Sequence, residues 1–95
     1  MWYVYIVECK DGKLYTGITN NLKNRIKQHN CGHGCRFTKY RIPVKLLHSE
    51  NCDAKGEALS REAEIKGWTR EDKLKLVFSG RHFGRFSSVP SKNKE

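Results

Sequence analysis

The chain opens on an unbroken apolar run, Trp2 to Val7, with β-branched and aromatic residues at both odd and even positions. Alternate side chains of a strand point to opposite faces, so the run predicts a strand over 2–9 covered on both sides. Lys10-Asp11-Gly12 makes a turn, and Leu14 to Ile18 returns as a second strand. Loop length then decides the register. A two-residue Asp11-Gly12 loop pairs Cys9 with Leu14 and sends Tyr5 and Tyr15 to opposite faces. A three-residue loop ending in a left-handed Gly12 pairs Val7 with Tyr15 and Tyr5 with Gly17, putting both tyrosines on one face. We expect the three-residue loop.

Past the hairpin the period changes. Asn20 or Asn21 is placed to cap a helix running to about His29, with Leu22 and Ile26 as its apolar stripe. Arg25 and His29 lie four apart and therefore stack along one side of it. A loop containing glycine and cysteine follows, then the basic segment 36–41. Pro43 opens a short strand, 44–48, expected to join the hairpin as a third. Within 58–66, Ala58, Leu59, Ala63 and Ile65 recur at helical spacing, with Asp53 as the expected cap. Glu62 falls inside that apolar face, whereas Glu57, Arg61 and Glu64 are expected to be solvated. Thr69 and Asp72 form a capping box for a last helix around 73–78. From residue 79 the chain is rich in Gly, Ser, Lys and Arg, the composition of a disordered tail. The expected organisation is thus a domain over 1–78 and a basic tail over 79–95.

Ninety-five residues suffice for one modest core. The formal charge of +9 points to a polyanionic partner, nucleic acid foremost. No apolar run approaches the roughly 18–20 residues of a bilayer span. Met1 leads straight into the first strand without a basic, then apolar, leader, so a cytoplasmic location is expected, where the four cysteines stay reduced.

A carboxylate on an apolar helical face is costly unless it is paired or binds a cation. Glu62 therefore invites a role, with a buried salt bridge as the plainer alternative. Tyr5, Tyr15, Arg25, His29 and Glu62 together supply what phosphodiester cleavage needs. These needs are an oxygen ligand for a hard cation, a planar fork for phosphate, and a base that activates water. Taken singly, the tyrosines also read as strand aromatics, and Arg25 as a surface charge. His29, Cys31, His33 and Cys35 offer soft ligands in strict alternation, a spacing poorly suited to a tetrahedral zinc site.

Tyr3-Val4-Tyr5 followed by Tyr15-Thr16-Gly17 resembles the paired signature of the GIY-YIG nuclease superfamily. Residues 17–29 resemble its Arg-x-x-x-His helix, and 57–62 its segment carrying a metal-binding glutamate. The resemblance covers 2–78 and points to the small single-domain YhbQ/UPF0213-like bacterial members. It implies an α+β fold with a three-stranded antiparallel sheet flanked by helices. It also implies Mg²⁺- or Mn²⁺-dependent hydrolysis of nucleic-acid phosphodiesters, with a role in DNA repair or processing. By the same resemblance Tyr5 or Tyr15 is the general base and the other orients water. Arg25 then stabilises phosphate, His29 assists the tyrosine, and Glu62 is the sole protein ligand of the metal.

The segment Arg36, Thr38, Lys39, Tyr40 and Arg41, with Lys45 and the tail, is the expected nucleic-acid contact, and Phe37 or Tyr40 the residue that stacks on an unpaired base. No appended specificity domain is visible, so an endonuclease directed by strand structure or single-strandedness is expected, DNA before RNA. Two alternatives stand beside it. One is a non-catalytic basic clamp on nucleic acid; the other is a nuclease subunit that depends on a protein partner for specificity or activity.

Overall fold

The computed structural model describes residues 1–78. Three strands, β1 (Trp2–Glu8), β2 (Leu14–Thr19) and β3 (Lys45–Cys52), form one antiparallel sheet in the order β2-β1-β3. The helices are α1 (Leu22–Asn30), α2 (Arg36–Lys39), α3 (Lys55–Lys66) and α4 (Arg70–Phe78). β1 takes the centre because its apolar run can be buried on both faces, and Val4, Tyr5, Ile6 and Val7 are all essentially inaccessible.

The two faces carry two cores. Val4 and Ile6 pack with Ala58, Ile65, Trp68 and Leu76, beneath α3 and α4. Tyr5, Val7 and Cys9 pack with Val44, Tyr15, Leu22 and Ile26, on the side of α1. The hairpin adopts the expected register, with Tyr5 opposite Gly17 and Val7 opposite Tyr15. Gly12 supplies the left-handed backbone (φ +89°) that closes the turn.

Asn21 caps α1 through its side-chain oxygen, which accepts from the Asn24 backbone N–H at 3.1 Å. The third strand runs longer than expected, to Cys52, because His48, Glu50 and Cys52 continue a buried face beyond the apolar residues. Cys35–Tyr40 folds into the short α2, which sequence pattern alone did not suggest. At the start of α3 the cap position is Ala54 and not Asp53; Glu57 closes this end by accepting the Asp53 backbone N–H at 2.9 Å. Thr69 caps the last helix as expected, accepting from Asp72 N, but that helix begins at Arg70.

The apolar stripe expected on α3 requires a larger correction. Leu59 is 46 % exposed and Ala63 is exposed, while the buried residues are Ala58, Arg61 and Ile65. Arg61, expected in solvent, is inside because β3 offers it a buried carboxylate, Glu50. Glu62 flanks the stripe and is only partly covered. The basic tail expected from residue 79 lies outside the described residues. No described helix is long and apolar enough to cross a membrane.

Candidate active site

Tyr5 sits at the middle of the central strand, and its ring crosses its partner Gly17 on β2. A Cβ at position 17 would lie 2.6 Å from Tyr5 Oη and 3.1 Å from Tyr15 Cε2. Glycine is there because two tyrosine rings share the space a side chain would fill. The rings are tilted against each other, with centroids 6.4 Å apart, and His29 meets both edge-on at 5.8 and 5.6 Å.

The polar groups interlock around Tyr5. Its hydroxyl lies 2.9 Å from His29 Nε2 and accepts from Arg25 Nε at 3.4 Å. His29 Nδ1 lies 2.8 Å from Thr38 Oγ1. The Thr38 hydroxyl donates to the Cys35 carbonyl at 3.4 Å, which makes His29 Nδ1 the donor and leaves Nε2 to accept the Tyr5 proton. His29 is fully buried, and burial together with the Arg25 charge pushes its pKa down to about 4, so it is neutral at pH 7. Gly34 presses on the His29 ring, where any side chain would collide. Arg25 is splayed by three partners: Tyr5, Gln28 Oε1 at 3.0 Å and the Gly34 carbonyl at 2.9 Å.

The tyrosines are not equivalent. Burial raises the Tyr5 pKa, opposed by the hydrogen bond and charge of Arg25. Tyr15 is driven up much further, by burial and then by donating its proton to Cys35. Cys35 is correspondingly lowered: burial opposes ionisation, but hydrogen bonds from Thr38 and Tyr15 outweigh it.

Glu62 lies on the edge of α3 beside this cluster. Its side chain is 18 % exposed, it pairs with Lys66 Nζ at 3.2 Å, and its charge raises the proton affinity of Tyr5. Lys66 Nζ also stands 5.7 Å from the centre of the Tyr15 ring. Among the described residues no three His, Cys, Asp or Glu side chains converge to hold a metal ion. A cation here would rest on the Glu62 carboxylate and take its remaining oxygens from water and substrate, a donor set that suits a hard divalent ion. His29 has both ring nitrogens engaged inside the cluster, which removes it from the alternating Cys/His loop as a zinc ligand.

All five candidate residues thus gather in one region, while the expected nucleic-acid segment divides. Arg36, Lys39 and Tyr40 are exposed, Tyr40 to 83 %. Thr38 is not a surface contact: it is fully buried, because the His29 ring needs its hydroxyl. Arg41 is tied to Asp11 at 3.1 Å and to the Phe37 carbonyl at 2.7 Å. Phe37 keeps 37 % of its surface exposed but stacks on the Tyr15 ring at 5.6 Å and lies 4.4 Å from the Arg41 guanidinium, so Tyr40, at 83 %, is the more open aromatic face.

A buried network behind the site escaped sequence reasoning. Glu50 accepts from Arg61 Nε at 2.7 Å and Nη2 at 3.0 Å and lies 3.0 Å from His48 Nε2. Arg61 also reaches Glu64 at 3.0 Å and stands over the Trp68 ring. Its signal was the alternation of His48, Glu50 and Cys52, a period of two on one face of β3. Arg61 adjoins Glu62, so the network also fixes the rotation of α3 that presents Glu62 to the tyrosines.

Comparison with known proteins agrees with this fold. The family model described as the GIY-YIG catalytic domain matches residues 1–75. A UPF0213 protein of Staphylococcus saprophyticus is 53% identical over 78 residues, covering 82% of this chain and 95% of that one. A UPF0213 protein of Haloquadratum walsbyi is 51% identical over 78 residues, covering 82% and 88%. The solution NMR structure of a UPF0213 protein from Bacillus halodurans superposes with a TM-score of 0.55 at 42% identity, covering 84% of this chain and 86% of that one. The chain therefore belongs to the GIY-YIG nuclease superfamily, among its UPF0213 members.

Proposed function

We propose that this protein is a divalent-metal-dependent endonuclease that hydrolyses nucleic-acid phosphodiesters, DNA in the first place, selecting strand structure or single-strandedness over a long sequence. The observation that carries the reading is the Tyr5 hydroxyl, buried yet held between His29 Nε2 and Arg25 Nε. One neutral partner would satisfy a buried structural tyrosine, whereas this hydroxyl is shared between an imidazole and a guanidinium. Tyr5 is the base in this reading, since its hydroxyl is the one that meets His29 Nε2 and Arg25 Nε, while burial drives the Tyr15 pKa further up. The Tyr5 oxygen takes a proton from the attacking water while its own proton moves along the hydrogen bond to neutral His29 Nε2, and Arg25 stabilises the charge on that oxygen, so no free phenolate precedes attack. The N–H groups of Arg25 not used within the protein are left for the phosphate.

Mg²⁺ or Mn²⁺ held by Glu62 supplies, when bound, charge neutralisation at the phosphate and a more acidic water. The Lys66 pairing does not stand in its way. An i,i+4 pair of this kind is worth about 0.3–0.5 kcal/mol and yields readily to a divalent cation. Arg36 and Lys39 supply backbone contacts and Tyr40 a stacking face for an unpaired base.

The test is cleavage of labelled single-stranded, duplex and branched DNA with Mg²⁺ or Mn²⁺ by wild type and Glu62→Gln, with binding measured in the same samples. Metal-dependent cutting that disappears in the variant while binding persists is the expected outcome. Binding without cutting on every substrate would leave a basic clamp or a partner-dependent subunit.

A further inference from the structure

The groove between the β1–β2 turn, α2 and the start of α4 holds several cations outside the tyrosine site. We propose that it is a second phosphate-backbone site, which carries the substrate strand away from the tyrosines. The proposal rests on the nucleic-acid reading above and extends it beyond the 36–41 segment, to the β1–β2 turn and α4. The groove has a volume of about 230 Å³ and is lined by Lys13, Leu14, Phe37, Arg70 and Lys73. Its lining holds three cations and no carboxylate; Glu71 and Asp72, the acids in the first turn of α4, are not part of it.

Lys73 is the informative member. It is partly buried, no carboxylate pairs with it among the described residues, and the charge that most affects it is another cation, Lys66. Burial and that neighbour both lower its pKa, the signature of an ammonium short of a counter-charge. Gathering like charges is unfavourable in the free protein and favourable once a polyanion bridges them. Arg70 is held ready beside it. Its Nη1 is fixed on the Gly12 carbonyl at 2.8 Å, and the rest of its exposed guanidinium remains to donate.

The groove is also continuous with the site. Phe37 forms its wall and stacks on Tyr15 with its ring, and Lys66, above Tyr15 and bonded to Glu62, bridges the two regions. A strand with its scissile phosphate at Tyr5 and Glu62 thus meets Lys66 and then Lys73, Lys13 and Arg70. A single strand is the occupant this favours, because the groove is small, about 230 Å³, and its Phe37 wall continues directly onto the Tyr15 ring.

The experiment measures binding of labelled single-stranded oligonucleotides by fluorescence anisotropy over a salt series, in a Glu62→Gln background that prevents turnover. Lys13→Gln/Lys73→Gln is compared with Lys23→Gln/Lys27→Gln, which removes the same charge from the exposed face of α1, and thermal unfolding verifies that both fold. At ~0.7 per phosphate contact on a single strand, the groove variant should lower the slope of log K against log salt by about 1.4. That deficit should vanish when the oligonucleotide is shortened from one end only. Equal slope changes in the two variants, or a deficit indifferent to trimming at either end, overturns the proposal. Cleavage by the chain with Glu62 intact, run in parallel, separates the two claims. Binding without cleavage removes the nuclease reading and leaves the slope comparison to decide the groove, whereas no binding of any oligonucleotide overturns both.

Discussion

Replacing Arg61 by Met tests the buried network without reference to catalysis. The Arg61 side chain is 7 % exposed and that of Glu50 1 %, joined by hydrogen bonds of 2.7 and 3.0 Å. Methionine keeps much of the packing against Trp68 but leaves the Glu50 carboxylate buried with His48 as its remaining side-chain neighbour. Breaking one side of a buried ion pair costs about 3–5 kcal/mol. For a domain of this size each kcal/mol moves Tm by about 4–8 °C, so the variant should melt roughly 12–40 °C below wild type. Glu50→Leu/Arg61→Met removes both charges together and should recover to within about 1.5 kcal/mol of wild type or exceed it. Urea unfolding of both single variants and the double, followed by circular dichroism, gives the coupling directly. The pH profile adds a second reading. Although burial opposes ionisation, His48 and Arg61 hold the folded Glu50 pKa below its ordinary value. The pair's contribution is therefore present above the unfolded value of about 4.3 and lost as pH falls from there through the folded value. The double variant should lack that acid-side loss. An Arg61→Met protein within about 1 kcal/mol of wild type would refute the reasoning, because it would mean that the buried carboxylate does not need its partner.

Gly17→Ala places a methyl 2.6 Å from Tyr5 Oη, and Tyr5, 1 % exposed, has little room to retreat. Overpacking should cost about 1–3 kcal/mol, and displacing the hydroxyl by an ångström should cut turnover on the order of 10²-fold; wild-type values in both unfolding and turnover assays would show that the rings do not need the glycine. His29 carries a folded pKa of about 4 against an ordinary 6.5, so its contribution is complete above pH 6.5 and lost as pH falls toward 4. His29→Gln should flatten the stability profile across that window, and an unchanged slope in urea titrations at stepped pH would contradict the buried neutral ring. Thr38→Val deprives His29 Nδ1 of its partner and should cost about 1–3 kcal/mol, largely restored by Thr38→Ser; equal stability of the three proteins by thermal unfolding would exclude Thr38 as the orienting group.

Local pattern carried the argument wherever a residue's setting depended on its chain neighbours. The apolar run of β1 foretold a central strand, because a side chain at every position demands cover on both faces. Gly12 and the hairpin spacing foretold that Tyr5 and Tyr15 share a face, and four-residue spacing put Arg25 and His29 together on α1. Four of the five candidate side chains were therefore legible from two short segments. Glu62 was singled out for a partly mistaken reason. Leu59 and Ala63 do not form the face that was to bury it, and its place beside Tyr5 comes from how α3 lies on the sheet.

The chain by itself determined the elements, the hairpin register and the charge, since these follow from φ/ψ preferences, side-chain period and composition. Tertiary structure decided which polar groups are inside. Arg61 and Thr38 have the sequence profile of surface residues. Each is buried because a distant segment supplies its partner, Glu50 on β3 for Arg61 and His29 on α1 for Thr38. A charge or hydroxyl can leave water only where another group replaces the lost hydrogen bonds, and that match is made across elements remote in the chain.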